Sequence, residues 1–296
     1  MVKIMVPATT ANFGPGFDCM GAALSLYNLI EMDFSSSCYV EVKGEGVRQL
    51  PLDDSNLVYK AAKRVLAETG IDRPLSIKCE NHIPLSRGLG SSAACIAGGM
   101  MAANRLVEDK LPMETIMKLA IEMEGHPDNV IPALVGGFTI SMMSNKGIIY
   151  KRYVLSEGIK FVVGIPHFQL RTQDARKVLP KKVDIKDAVF NIGSASLLAT
   201  ALATGDLKDI GFFFQDRLHQ PYRSKLVPGL EDILKGAYSK GAYGCFLSGA
   251  GPSVICLSNQ ENADELGIFM LEAFKKHGIL AEYQILAPCK DGVRFI

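Results

Sequence analysis

Two glycines two residues apart, then two serines, then small apolar residues make Pro84-Leu85-Ser86-Arg87-Gly88-Leu89-Gly90-Ser91-Ser92-Ala93-Ala94 the stretch of this chain best suited to hold an anion. Gly88 and Gly90 lack a Cβ where a backbone must turn sharply or approach a ligand closely. A helix starting after them would point its unpaired N–H groups and positive dipole end back at the turn. A phosphate is the simplest occupant. Three readings compete. Gly88 to Ala93 satisfy the G-x-G-x-x-G/A spacing of a dinucleotide-binding turn, but that turn follows directly on a buried strand, and here Asn81-His82-Ile83-Pro84 intervenes. A P-loop needs a lysine after its last glycine, and Gly90 is followed by Ser91. The third reading is a plain glycine turn ahead of a core helix.

Other groups with chemical potential lie at a distance in sequence. Pro7 to Gly21 is rich in glycine and proline and presents Asn12 and Asp18 among apolar neighbours. An aspartate beside Phe17 is costly to bury unpaired, so Asp18 either meets a cation or donor or is a turn residue satisfied by its own backbone. Glu124-Gly125-His126-Pro127-Asp128-Asn129 concentrates acid, imidazole and amide groups between apolar segments. Beside a phosphate, Glu and Asp oxygens suit Mg²⁺, and a capped loop is the alternative. Arg176 and Arg223 are solvated surface residues by default, although a planar guanidinium is also the best grip for a carboxylate. Arg171, Arg217 and His126 are weaker candidates. Ser248-Gly249-Ala250-Gly251-Pro252-Ser253 reads as a glycine-rich hairpin turn.

The elements that must position these groups follow from periodicity. A short strand over 2–6 is stopped by Pro7, and alternation over 22–49 predicts antiparallel strands. Asp54-Ser55 can cap a helix that runs to Gly70 with Asn56 and Lys60 in its first turns, and a strand at 75–79 leads to the glycine stretch. Ala93 to Ala103 suits a closely packed helix. Pro112 to Glu124 is a helix with Pro at its first turn. In the second half, helices are expected at 191–204, 206–217, 229–239 and 262–277. Strands are expected around 161–166 and at 242–247, 253–258 and 281–287. Interleaved strands and helices suit an α+β layer with an antiparallel sheet, and the boundary between two domains falls near 153–160.

The glycine stretch from Pro84 to Ala94 closely resembles the phosphate-binding motif of the GHMP kinases, the superfamily of galactokinase, homoserine kinase, mevalonate kinase and phosphomevalonate kinase. Pro7-Ala8-Thr9-Thr10-Ala11-Asn12-Phe13-Gly14-Pro15-Gly16-Phe17-Asp18 is similar to the first motif of homoserine kinases. Glu124 to Asn129 is similar to their acidic segment, and Ser248 to Ser253 to the third motif of the superfamily. The resemblance covers essentially the whole chain. It implies an α+β, two-domain GHMP kinase fold, with a ribosomal S5 domain 2-like unit over 1–155 and a ferredoxin-like unit over 156–296.

It further implies an ATP-dependent phosphorylation of L-homoserine in threonine biosynthesis. ATP would lie against Asn56 and the run Pro84, Leu85, Ser86, Arg87, Gly88, Leu89, Gly90, Ser91, Ser92, Ala93 and Ala94. Mg²⁺ would sit on Glu124 and Ser92, with Ser91 a further hydroxyl. Asp18 would pair with the homoserine ammonium and Asn12 would hydrogen-bond the substrate. Arg176 and Arg223 would grip its carboxylate, with Thr172, His126, Asp128 and Asn129 beside them. Gly249 and Gly251 would shape the site. Mevalonate kinase has an aspartate, thought to be its base, at about the place of Asn129, and an amide cannot accept that proton. Family members are often dimers, which allows a homodimer here.

Composition narrows the alternatives. The chain has 296 residues, 48% of them hydrophobic and 21% charged, enough for one large core or two smaller ones. Its net charge is +1, from 32 Lys+Arg and 31 Asp+Glu, with no basic run, so neither nucleic acid nor an anionic membrane is an expected partner. Seven cysteines, at 19, 38, 79, 95, 245, 256 and 289, form no C-x-x-C pair and suit a reducing compartment. The protein is expected in the cytoplasm. A kinase for another small alcohol such as mevalonate, a catalytically silent metabolite sensor of the same fold and a dinucleotide-binding oxidoreductase are the rivals.

Overall fold

A computed structural model describes every residue from Met1 to Ile296. The first half builds one mixed sheet from β1 (Val2–Ala11), β2 (Met20–Phe34), β3 (Tyr39–Gly44), β4 (Leu75–Asn81), β5 (Phe138–Ser144) and β6 (Gly147–Tyr153). Its helices are α1 (Leu57–Glu68), α2 (Ser91–Leu106), α3 (Met113–Glu124) and α4 (Pro127–Val135). Two expectations need correcting here. Pro7 does not end the first strand: the register between β1 and β2 shifts between Pro7 and Ala8, and a bulge is where a sheet tolerates proline. The strand therefore runs on to Ala11 and delivers Asn12 from its end. β3 lies parallel to β4, not antiparallel, because α1 carries the chain across between them. Alternation specifies a face of a strand, not its direction.

The second half builds an antiparallel sheet from β7 (Lys160–Pro166), β8 (Gly244–Leu247), β9 (Val254–Ser258) and β10 (Ala281–Leu286), in the order β10-β7-β9-β8. Its helices are α5 (Thr172–Lys177), α6 (Ile185–Thr204), α7 (Ile210–Phe213), α8 (Gln220–Arg223), α9 (Leu230–Gly236) and α10 (Ala263–Lys276). α6 begins earlier than periodicity suggests because the Asp184 carboxylate accepts from Lys186 N–H at 2.7 Å and caps it. The helix expected over 206–217 shrinks to the turn of α7. Asp216 breaks the pattern by taking the N–H groups of Leu218, His219 and Gln220 on its side chain, which starts α8 instead. No helix is long and apolar enough to cross a membrane.

The two sheets meet over a shared apolar core. Phe13, fully buried at φ 48°, stacks on Phe246 at 4.7 Å and meets the edges of Phe138 at 5.1 Å and Phe161 at 6.2 Å. A left-handed phenylalanine is strained, and this packing from both sheets is what holds it there. The position 155/156 lies in the link from β6 to β7, and β11 (Arg294–Phe295) returns to pair with β1.

Candidate active site

The glycine stretch forms a turn wedged between the two halves of the chain. Gly88 has φ 74°, and a Cβ there would come within 2.1 Å of the Ser248 carbonyl. Gly90 has φ 68° at the start of α2, and its Cβ would come within 1.9 Å of Thr9 Oγ1. Both positions therefore need glycine for space as well as for conformation. The Ser248 hydroxyl bonds Gly88 O at 2.6 Å, Thr9 N–H donates to Leu89 O at 3.1 Å and Ser253 N–H to Arg87 O at 3.3 Å. The turn is thus held on both sides, with the N-terminus of α2 opening into the cleft. Leu85 to Ser92 line that cleft, as do Gly249 and Gly251.

Four residues expected at the nucleotide are not among those that line the cleft. Asn56 caps α1, accepting from Val58 N–H at 2.9 Å and donating to Pro51 O at 2.9 Å, while its neighbour Leu57 faces the cleft. Asn56, not Asp54-Ser55, therefore ends the loop. Ala93 and Ala94 are fully buried inside α2, and Pro84 faces a neighbouring depression.

The acidic segment is the end of α3 and the first turn of α4, not an open loop. Pro127 occupies the first position of α4, where its missing N–H costs nothing. Ser92 Oγ donates to Glu124 Oε2 at 2.7 Å. Burial pushes the Glu124 carboxyl up, an effect that the Ser92 hydrogen bond only partly offsets. An acid and a hydroxyl held side by side at the glycine turn, the acid penalised for carrying its charge alone, form a donor set that suits Mg²⁺. His126 Nδ1 lies 2.6 Å from Asp128 Oδ1. Burial draws the His126 pKa down, but the hydrogen bond and charge of Asp128 outweigh it and the net shift is upward. Thr9 Oγ1 donates to Asn129 Oδ1 at 2.9 Å.

Facing these groups, α5 brings Thr172 and Arg176 to the cleft and α8 brings Arg223. Arg176 grips Asp18 with two hydrogen bonds, 2.7 and 3.0 Å, from the left-handed position Asp18 occupies at φ 56°. Asn12, also left-handed, accepts from Asp18 N–H at 3.0 Å and donates to Gly249 O at 2.8 Å, so its amide ties the first loop to the 248–253 turn. Arg223 is 1% exposed, and every hydrogen bond it makes goes to a neutral acceptor: Ala175 O, Gly249 O and His219 Nδ1. Burial, then the repulsion of Arg176, pulls its pKa down to about 10. It stays cationic at neutral pH. Arg217 instead pairs with half-buried Asp187 and stacks on Phe190 outside the cleft, and Arg171 is exposed.

Thr9, Asp216 and His219 belong to this constellation although nothing in composition singled them out. The spacing of His219 and Arg223, one helical turn apart, is the signal that could have found the histidine.

Residues 56–137 match the family described as GHMP kinases N terminal domain, and residues 198–279 match GHMP kinases C terminal. The chain is 45% identical to the homoserine kinase of Aquifex aeolicus over 99% of both chains. The chain belongs to the homoserine kinase family of the GHMP kinases. A second family member, the homoserine kinase of Caldicellulosiruptor bescii, is 48% identical over 88% of this chain and 85% of its own. The crystal structure of homoserine kinase from Cytophaga hutchinsonii matches with a TM-score of 0.89 at 32% identity, over 100% of this chain and 97% of that one. The L. major mevalonate kinase, solved in complex with R-mevalonate, matches with a TM-score of 0.69 at 18% identity over 97% of this chain and 96% of its own, and speaks for the fold alone.

Proposed function

We propose that this member of the homoserine kinase family transfers the terminal phosphoryl group of ATP to the side-chain hydroxyl of L-homoserine, giving ADP and O-phospho-L-homoserine, the alcohol phosphorylation of threonine biosynthesis. The observation that carries the substrate assignment is Arg223: a buried cation with only neutral partners, next to an aspartate that faces the same cleft. A buried charge whose hydrogen bonds all go to neutral groups is costly, and a carboxylate from outside would complete its partners. An amino-acid zwitterion fits between Arg223 and Asp18, with its carboxylate on the arginine and its ammonium on the aspartate. The Asp18–Arg176 pair does not bar its way, since about a third of each side chain is exposed to the cleft, where solvent screens the pair and an ammonium can reach the carboxylate.

Gly88 to Ser92 and the N-terminus of α2 hold the ATP phosphates in this reading. Glu124 and Ser92 hold Mg²⁺, which when bound neutralises charge on the transferred group. Asn12, Thr172 and Arg176 orient the substrate beside His126 and Asp128. Asn129 has committed its oxygen to Thr9 and as an amide accepts no proton, so no carboxylate base stands at that position. Catalysis then rests on positioning and charge neutralisation, which phosphoryl transfer permits because its loose transition state asks for little early proton removal. The proton leaves to a phosphate oxygen or to water. Free thiols at all seven cysteines fit a reducing cytoplasm, and a homodimer, read by sedimentation, completes the proposal.

Asp18→Asn removes the negative charge that faces the ammonium, together with the Arg176 ion pair, and leaves the glycine turn untouched. It should raise KM for homoserine about tenfold or more while KM for ATP stays within about twofold. Equal effects on both substrates would contradict the assignment.

A further inference from the structure

Arg223 reaches the cleft on the single turn of α8, and two of its three partners are main-chain carbonyls, Ala175 O at 3.2 Å and Gly249 O at 3.0 Å. The third is a side chain one turn back, His219 Nδ1, 3.2 Å from Nη1. The neighbours of His219 leave it one state. Its Nε2 lies 2.8 Å from Gly14 O, which can only accept, so Nε2 carries the proton. Arg223 can only donate, so Nδ1 offers its lone pair. The ring is therefore a neutral imidazole of fixed tautomer. It is fully buried, and burial holds its pKa below the ordinary histidine value.

The ring is also fixed in place. Phe17 stacks on it at 5.0 Å, directly before Asp18 in sequence. The Asp216 carboxylate accepts from the N–H groups of Leu218, His219 and Gln220 at 2.6–3.0 Å and from Asn191 Nδ2 at 2.8 Å, locking the start of α8. Gly14, in turn, belongs to the loop that carries Asn12 and Asp18. His219 thus bridges the loop that presents the aspartate and the helix that presents the arginine. Asn191 also ties that loop, at Pro15 O, to Asp216, but of the two only His219 touches Arg223 itself.

We propose that His219 is a positioning residue for the carboxylate grip: through Nδ1 it sets the rotation of the Arg223 guanidinium, leaving Nη2 for the substrate, and through Nε2 it fixes that arginine relative to the Asp18 loop. This rests on the reading that Arg223 holds the substrate carboxylate. A guanidinium binds carboxylates through a rigid fork, so its rotation about the side chain decides whether both oxygens are met.

The test compares L-homoserine with 3-aminopropan-1-ol, the same amino alcohol without the carboxylate, by turnover or, for a poor substrate, by its inhibition constant. His219→Leu should raise KM for homoserine about tenfold, the scale of one lost hydrogen bond to a charged group. KM for ATP and the constant for aminopropanol should stay within about twofold. His219→Gln, whose amide can donate to Gly14 O and accept from Arg223, should recover most of the loss. Equal losses on both alcohols would overturn the proposal by making His219 merely structural. So would no loss on homoserine while Arg223→Leu shows a carboxylate-dependent one. If Arg223→Leu weakens both alcohols equally, the underlying reading of Arg223 fails and the proposal with it. Should the leucine variant not fold, nitrogen NMR of the labelled wild-type protein decides. The signals lost in His219→Gln must report a protonated Nε2 and a bare Nδ1 at neutral pH; a proton on Nδ1 contradicts the proposal.

Discussion

Glu124 is where stability and activity pull against each other at the scale of a single residue. Its folded pKa lies above the ordinary carboxylate value because burial disfavours the charge. A carboxyl shifted upward binds its proton more tightly in the folded state. The stability it lends is therefore complete below about 4.5 and is lost as pH rises through the folded value. At neutral pH and without a cation, Glu124 is a liability. Glu124→Gln should therefore melt no lower than the wild type in metal-free buffer at pH 7, and its melting temperature should exceed the wild type's if the Ser92 contact survives. The same variant should lose about tenfold or more in kcat, the scale of a disturbed metal shell, and shift its magnesium dependence. An unchanged magnesium titration would refute the ligand role. Asp18 was recognisable in sequence because a charge beside an aromatic residue is unusual, whereas Arg223 read as a surface arginine and only the resemblance to the family picked it out. Thr9 was not recognisable, since a threonine in a strand is ordinary and its partner Asn129 lies 120 residues away.

At the scale of elements, the glycine turn at 88–90 is the piece with least tolerance. A methyl group at position 88 would meet the Ser248 carbonyl at a distance no side chain occupies, and would have to do so at positive φ. Gly88→Ala should cost about 1–3 kcal/mol of stability by thermal or denaturant unfolding. It should also weaken ATP binding in direct titration, because the turn must move away from the 248–253 segment. Retained affinity for ATP would mean that the turn is not a phosphate cradle. The motif and the helix behind it were legible because glycine spacing and small residues act locally. The helix expected over 206–217 was not, since its apolar spacing is genuine and only the capture of three N–H groups by Asp216 diverts it. In the same way, the pairing direction of β3 is decided by where α1 returns the chain, and the cap of that helix falls on Asn56 rather than on Asp54-Ser55.

At the scale of the whole molecule, the cleft exists because two sheets are held at a fixed separation, and Phe13 is the residue on which both close. It stands one residue after Asn12, so its packing also sets the loop that carries Asn12 and Asp18. Phe13→Ala should cost about 3–5 kcal/mol of stability, the range for a fully buried phenylalanine. It should also raise KM for homoserine in whatever fraction stays folded, and a purely thermal effect with normal KM would separate the core from the site. The α+β class and the two-part architecture were legible from strands alternating with helices. The shared core and the return of β11 to β1 were not, because pairings between the chain's two ends leave no periodic trace.

The most direct test of the account is ADP release with Mg²⁺ and ATP across L-homoserine, serine, threonine, mevalonate and galactose. Turnover selective for homoserine is the predicted result, and it would rest the specificity on the ammonium at Asp18 and the carboxylate at Arg223. Turnover of mevalonate or galactose in its place would contradict the substrate site while keeping the kinase, and tight ATP binding with no turnover of any alcohol would contradict the reaction itself.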